Sequence, residues 1–293
     1  MLSILIPTYN YNVAPLVATL VAEADRISTQ IEILILDDAS PESIPENEAT
    51  SSYQQVTYKK LESNKGRTAT RHQLALDASF NNILFMDADV FPVYPDFIER
   101  YIAAHVSNGV VFGGITYHEE PPNDNEVLRW KYGHAREKQS VAQRKQTPYA
   151  SLTTGCFLIE KSLFLDISDT IQFKAYGMDL VLKQKFEEQD VPVRHIDNPV
   201  YHNGLESNEA FLKKALEAVE TTVLLEEKGW LPDNSRALQK HYLKLKKYKA
   251  LSLFSSFFKP LQKRIERNLL SKDPNLFWFD LYRLNHYISL KRN

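Results

Sequence analysis

The segment Asn82-Ile83-Leu84-Phe85-Met86 runs straight into Asp87-Ala88-Asp89. A short run of β-forming apolar residues, bounded by polar ones, reads as a strand buried on both faces. In an extended chain residues i and i+2 share a face, so both carboxylates are expected to emerge together where the strand ends. Two like charges held that close repel unless a cation sits beside them. The carboxyl edge of an open parallel sheet is also where α/β folds bind ligands. A hard divalent ion that bridges carboxylate and phosphate oxygens resolves the repulsion.

The neighbouring segments supply such a sheet. Leu2–Ile6, Glu32–Leu36, Val56–Lys59 and Ile83–Met86 read as strands, the first stopped by Pro7. They alternate with helical apolar spacing over 13–28, with Asn12 as its cap, and over 66–78. This alternation predicts an α/β fold with a mostly parallel sheet flanked by helices. Beyond it come a helix over 95–106, a strand over 110–115, and a polar, proline-bordered loop or lid over 119–148. A strand over 151–160, a helix over 178–189 and a short strand over 192–196 follow. After about Ser207 the pattern becomes consecutive helices near 208–228, 234–250, 255–270 and 275–290. The division is therefore an α/β domain over 1–205 and a helical C-terminal extension over 206–293.

Composition removes several classes of function. A single cysteine, Cys156, excludes an internal disulfide and a cysteine-rich zinc site. No stretch approaches the roughly 18 apolar residues of a membrane span. The N-terminus lacks a basic leader and enters a strand at once, which reads as a cytoplasmic chain without a signal peptide. Neither Gly-x-Gly-x-x-Gly nor a Walker-type phosphate loop is present. A nucleotidyltransferase would want a glycine-rich loop after the first strand, and Pro7-Thr8-Tyr9-Asn10 is not one.

Three polar clusters follow the first strands: Pro7-Thr8-Tyr9-Asn10, Asp37-Asp38-Ala39-Ser40 and Asp87-Ala88-Asp89. In a parallel sheet they converge on one edge. Asn64-Lys65-Gly66-Arg67, with Arg71, opens a helix and suits a phosphate or a polar base edge. The order and spacing of Ser3–Asn10, Ile35–Ser40, Asn64–Gly66 with Ala69–His72, and Phe85–Asp89 resemble the motifs of glycosyltransferase family 2. The resemblance extends over about the first 205 residues. It implies the GT-A fold, a nucleotide-sugar donor, a divalent metal (Mn²⁺ or Mg²⁺) and inversion at the anomeric carbon.

Roles follow from the resemblance residue by residue. Pro7, Thr8, Tyr9, Asp38, Lys65, Arg67, Arg71, Asp87 and Ala88 would line the nucleotide, most naturally a UDP-sugar. Asp87 and Asp89 would hold the metal, with His202 of Tyr201-His202-Asn203 as a further ligand. Two alternatives stay open: Asp38 as a side chain capping a turn, and Arg71 as an ion-pair partner of the strand-end aspartates. Thr153-Thr154-Gly155-Cys156-Phe157 resembles the acceptor-side strand start, with Gly155 allowing close backbone approach. Tyr176-Gly177-Met178-Asp179 resembles the family's Gly-Glu-Asp motif, with Met178 in place of the glutamate. Asp179 is then the general base, taking the acceptor hydroxyl's proton, or else only a helix cap. Trp130 and Tyr132, in the lid, are candidates for sugar contact. His195 reads as structural.

Charge divides the chain. Residues 236–293 hold 14 Lys/Arg against 3 Asp/Glu, leaving 21 against 34 in residues 1–235. The basic helices interleave with aromatics such as Tyr242, Tyr248, Phe257, Phe258, Phe277 and Phe279. Two readings stand side by side. One is peripheral contact with an anionic membrane face, fitting a lipid-linked saccharide acceptor; the other is a helical bundle whose aromatics form its own core. No nucleic-acid-binding module is visible. The partners expected are a nucleotide-sugar and a saccharide or lipid-linked saccharide, in polysaccharide assembly. A non-catalytic carbohydrate- or membrane-binding protein that kept the fold is the rival from another class.

Overall fold

The computed structural model describes residues 1–121, 123–169, 177 and 179–292. Among these the strands are β1 (Leu2–Thr8), β2 (Ile31–Asp37), β3 (Val56–Lys60), β4 (Asn82–Met86), β5 (Val90–Pro92), β6 (Val110–Phe112), β7 (Ile115–Thr116), β8 (Cys156–Glu160), β9 (Val193–His195) and β10 (Val200–His202). The chain packs as two compact units. The first, Met1–Tyr117, Glu137–Lys174 and Leu182–Gly204, carries all ten of these strands. The second, His118–Arg136, Ala175–Val181 and Leu205–Asn293, is helical in its described parts.

The main sheet of the first unit runs β3-β2-β1-β4-β8-β6-β9. β1, β2, β3 and β4 are mutually parallel, β9 is parallel to β6, and β8 is antiparallel to both β4 and β6. The inner parallel strands β1 and β4 are apolar over most of their length because helices cover both faces. Ile4, Leu5, Ile6, Ile83, Leu84 and Phe85 are all fully buried. Each such side chain contributes about 1.5–3 kcal/mol by leaving water. β1 does not stop at Pro7, as expected from the sequence, but runs on to Thr8. Its even-numbered residues turn their amides to β2, since Leu2 N donates to Gln30 O and Asp38 N donates to Thr8 O. Pro7 therefore faces the β4 side, where pairing has already ended at Leu5, and its missing N–H breaks no ladder bond.

The run read as one strand over 110–115 is two strands in different sheets. Gly113 and Gly114 separate β6 from β7, and Gly114 has φ +101°. A Cβ on Gly113 would lie 2.1 Å from Asn198 O, so the close approach demands glycine. β7 then joins β5 and β10 in a three-stranded sheet, in the order β5-β10-β7. Neither β5 nor β10 was read from the sequence, because three residues carry too little periodicity. Likewise, of the run expected as a strand over 151–160 the ladder takes only Cys156–Glu160.

Arg144, almost fully buried, staples this break. Its Nη1 donates to Phe112 O at 3.0 Å, and its Nη2 donates to Gly113 O at 3.1 Å and Ile196 O at 2.9 Å. Nη1 also reaches His195 Nδ1 at 3.3 Å, while His195 Nε2 lies 3.1 Å from Pro148 O. With a cation donating to Nδ1, the network assigns the proton to Nε2 and the ring is neutral. Burial, with Arg144 beside it, lowers the His195 pKa.

The second unit has its own core. Phe211, Leu212, Phe258, Ile265, Leu269 and Phe279 form one cluster, and Val219, Val223, Tyr242, Leu284, Tyr287 and Ile288 another. Most of the tail's aromatics thus pack inward, as the bundle reading expects, whereas Tyr248, Phe257 and Phe277 are exposed, together with Leu253. The helix expected over 255–270 divides into Leu251–Phe258 and Gln262–Leu269 around Lys259-Pro260. Among the described residues no helix is long and apolar enough to cross a membrane.

Two outcomes test the staple. Arg144→Met takes away the donor to Ile196 O and the second donor to Phe112 O and Gly113 O, which backbone amides still reach, and is expected to cost about 1–3 kcal/mol in urea unfolding. A histidine held neutral gives stability that is present above its unfolded pKa of 6.5 and lost as pH falls below it. The wild type should therefore lose more stability between neutral pH and pH 5 than His195→Gln does.

Candidate functional site

The carboxyl ends of β1, β2 and β4 meet the start of the helix Arg67–Asp77 in the first unit. Asp38 follows β2 and is 5% exposed. Its Oδ1 accepts from Lys65 N at 2.6 Å and its Oδ2 from Gly66 N at 2.8 Å, while its carbonyl accepts from Asn64 Nδ2 at 3.0 Å. Gly66, at φ +86°, supplies the turn into the helix. Asp38 therefore clamps the loop that presents Lys65 and Arg67, both exposed. The preceding carboxylate, Asp37, accepts from Ser40 N at 2.7 Å and from the Tyr58 hydroxyl at 2.9 Å. Thr8 is buried, with its hydroxyl donating to Tyr11 O at 3.2 Å, while Tyr9 is 49% exposed.

The Asp-Ala-Asp segment does not stay extended. Val90 N reaches back to Asp87 O at 3.4 Å, and the chain turns directly into β5. The expectation that both carboxylates share one face is thus corrected, and the two meet different partners. Asp87 is matched by arginines: Arg71 Nη2 lies 2.6 Å from Oδ1 and Arg67 Nη1 3.3 Å from Oδ2. Arg71, 5% exposed, also donates to Thr154 O at 2.5 Å, and Asp87 N donates to Gly155 O at 2.8 Å. A Cβ on Gly155 would meet Asp87 Oδ2 at 3.6 Å, ordinary contact, so glycine is not required there for room.

Asp89 faces β10. His202 Nε2 is 3.6 Å from Asp89 Oδ2, and Asn203 N donates to Asp89 O at 2.8 Å. The register of β10 on β5 pairs His202 with Val90, the residue after Asp89. Burial pushes the Asp89 carboxyl above the ordinary carboxylate range; His202 opposes this and Asp87 adds to it. Burial and the Asp89 charge also raise the Tyr11 phenol. Gly204 is essential to the arrangement, because a Cβ there would lie 2.0 Å from Asp89 Oδ2. Sequence reasoning passed over Tyr11 and Gly204; the glycine directly after Tyr-His-Asn was the available signal.

Among the described residues no three His, Cys, Asp or Glu side chains converge as a metal cage. Asp89 and His202 nevertheless offer one carboxylate and one imidazole edge at a spacing that two ligands of one ion can adopt. That donor set fits a divalent ion that takes the rest of its shell from phosphate oxygens and water.

The remaining candidates belong to the second unit. Asp179, partly buried, opens the helix Asp179–Glu188. Tyr176 and Met178 lie outside the described residues. Trp130 Nε1 donates to His118 O at 2.8 Å, and its ring lies against His134 at 4.5 Å. Tyr132 packs between Phe211 and Phe279, at 5.4 and 5.6 Å.

Residues 3–167, more than half of the chain, match the sequence model of glycosyl transferase family 2. The chain belongs to that family. No curated protein sequence matches it. Among solved structures, the mannosyltransferase PcManGT from Pyrobaculum calidifontis, in complex with GDP-Man and Mn²⁺, is 15% identical; the match covers 99% of this chain and 86% of that one, with a TM-score of 0.60. S. aureus TarS 1-349 in complex with UDP-GlcNAc is also 15% identical, with 99% and 90% coverage and a TM-score of 0.51. The longer S. aureus TarS is 16% identical with a TM-score of 0.50; the match covers 75% of this chain, which spans only 39% of that protein's length. The shared architecture is the GT-A fold.

Gly204→Ala is expected to destabilise by about 1–3 kcal/mol through overpacking against Asp89. In an Asp89→Ala background the same change should cost markedly less, a coupling that a double-mutant cycle in urea reads directly.

Proposed function

We propose that this family 2 member moves a sugar from a nucleoside diphosphate-sugar, a UDP-sugar first of all, to a hydroxyl of a saccharide or lipid-linked saccharide, with inversion. The observation that carries the reading is the pairing of Asp89 with His202 beside an Asp87 already matched by arginines. Asp89 would serve the cation, while exposed Arg67, with Arg71 buried behind it on Asp87, would face a diphosphate. A divalent ion held by Asp89 and His202 would, when bound, supply charge neutralisation to the diphosphate leaving group. Pro7, Thr8, Tyr9, Ala88 and the loop clamped by Asp38 would shape the nucleoside end.

Asp179 is proposed as the base. A carboxylate at that position would accept the acceptor hydroxyl's proton as the new glycosidic bond forms. The catalytic domain proposed is 1–205, with 206–293 as its extension. The cytoplasmic membrane face is the proposed setting. Exposed Leu253, Phe257 and Phe277, within the basic C-terminal extension, are the surface that would touch it, and lipid-linked acceptors reside there.

Calorimetric titration of UDP with Mn²⁺, then with chelator, tests the donor site. Binding is expected only with metal, and Asp89→Ala should weaken it at least tenfold. Binding of GDP but not UDP would move the donor assignment to the other base. With a UDP-sugar that is turned over, Asp179→Asn is expected to lower kcat by about 10²–10⁴. Unchanged turnover would remove Asp179 from the mechanism.

A further inference from the structure

Asp89 is crowded from one side by Gly204, and His202 has a neighbour of its own. In the three-stranded sheet β10 runs parallel to β7, with Val200 opposite Ile115 and Tyr201 opposite Thr116. The next residue along each strand is His202 on one and Tyr117 on the other. Residues level with one another on paired strands present their side chains to the same face. The two rings accordingly lie side by side, with centroids 5.7 Å apart and planes tilted by 45°.

Tyr117 is 1% exposed, so its hydroxyl needs a partner inside the protein. It donates to the Glu137 carboxylate. Glu137 is partly buried at the end of the helical turn Gly133–Glu137. Both residues belong to the first unit, one at each end of the excursion His118–Arg136. A bond to a charged acceptor is stronger than a neutral one, and turning the phenol away would leave a buried hydroxyl unmade.

An imidazole has two nitrogen edges, and the torsion that decides which edge faces a partner is broad and roughly two-fold. Here Nε2 is the edge toward Asp89, at 3.6 Å from Oδ2. The Tyr117 ring closes one side of that imidazole and narrows the torsion. We propose that Tyr117 and Glu137 are positioning residues for the cation site. Glu137 fixes the phenol, the phenol fixes the plane of His202, and Nε2 is thereby kept on the Asp89 side. Outer partners that orient a metal-binding imidazole are worth about 10–100-fold in metal affinity. The cation rests on the transferase reading above; the order of the side chains behind His202 does not.

The probe is Mn²⁺, with UDP present and absent, followed by electron paramagnetic resonance. Loss of the free-ion signal reads affinity, and nitrogen modulation of the bound ion reads coordination by imidazole. The wild type should bind Mn²⁺ and show the modulation, which His202→Ala should abolish. Tyr117→Leu should weaken Mn²⁺ by about tenfold and lower the modulation at saturation. Glu137→Ala should weaken it in the same direction, and Glu137→Gln, whose amide oxygen still accepts from the phenol, should recover most of the loss. If Tyr117→Leu does not fold, Tyr117→Phe, which loses only the hydroxyl, serves in its place. A merely structural role would lower the thermal midpoint of these variants and leave affinity and modulation as they are in the wild type; that result overturns the proposal, as does equal behaviour of Glu137→Ala and Glu137→Gln. No Mn²⁺ uptake by the wild type, or uptake with modulation that survives in His202→Ala, removes the cation site and the proposal together. Mn²⁺ held through His202 without any binding of UDP would sink the donor reading alone.

Discussion

One guanidinium joins three segments far apart in sequence. Arg71, on the helix that follows the clamped loop, reaches the Asp87 carboxylate and the Thr154 carbonyl with the same nitrogen. It thereby fixes where β4 ends against the approach to β8. A buried ion pair like this adds little net stability, because desolvation offsets most of the attraction, but losing one partner leaves a bare charge. Its effect is on position. With Asp87 held by arginine, the turn that follows directs Asp89 to a different neighbour, and the chemistry of the two carboxylates diverges.

Around that pair the first unit uses backbone amides more than side chains. Asp38 spends both oxygens on the amides of residues 65 and 66, and Asp37 spends its own on residue 40 and on Tyr58. Acids that look like ligand contacts in a linear motif also hold the loops in which they sit. Such a residue can serve both ends, since each carboxylate oxygen has two lone pairs.

The fold was largely legible because its signals are local. Three apolar runs, each ending in a polar cluster, specify parallel strands, and the order of the motifs identified the family. What escaped was non-local or too short to show a period. β5 and β10 have three residues each, and the break at Gly113-Gly114 depends on a carbonyl 85 residues away, at Asn198. Pro7 looked like a stop because proline lacks a donor, yet its side of the strand has no ladder left to break. At the site, the Asp87–Asp89 spacing was plain, but the turn that separates them was not. The tail's aromatics fitted a membrane surface and a bundle equally well until their burial was known.

His202 reaches Asp89 only because β10 lies on β5 in one register. Side chains alternate along a strand, so a slip of one residue would turn the imidazole to the opposite side. The spacing of the Asp89–His202 pair is therefore written in a ladder of three residue pairs and in the short connection from β9 to β10. Length in that connection matters as much as its composition. A deletion of one residue from 197–199 would erase the pair while leaving the seven-stranded sheet whole. A short connection without regular secondary structure is thus held closely to one length.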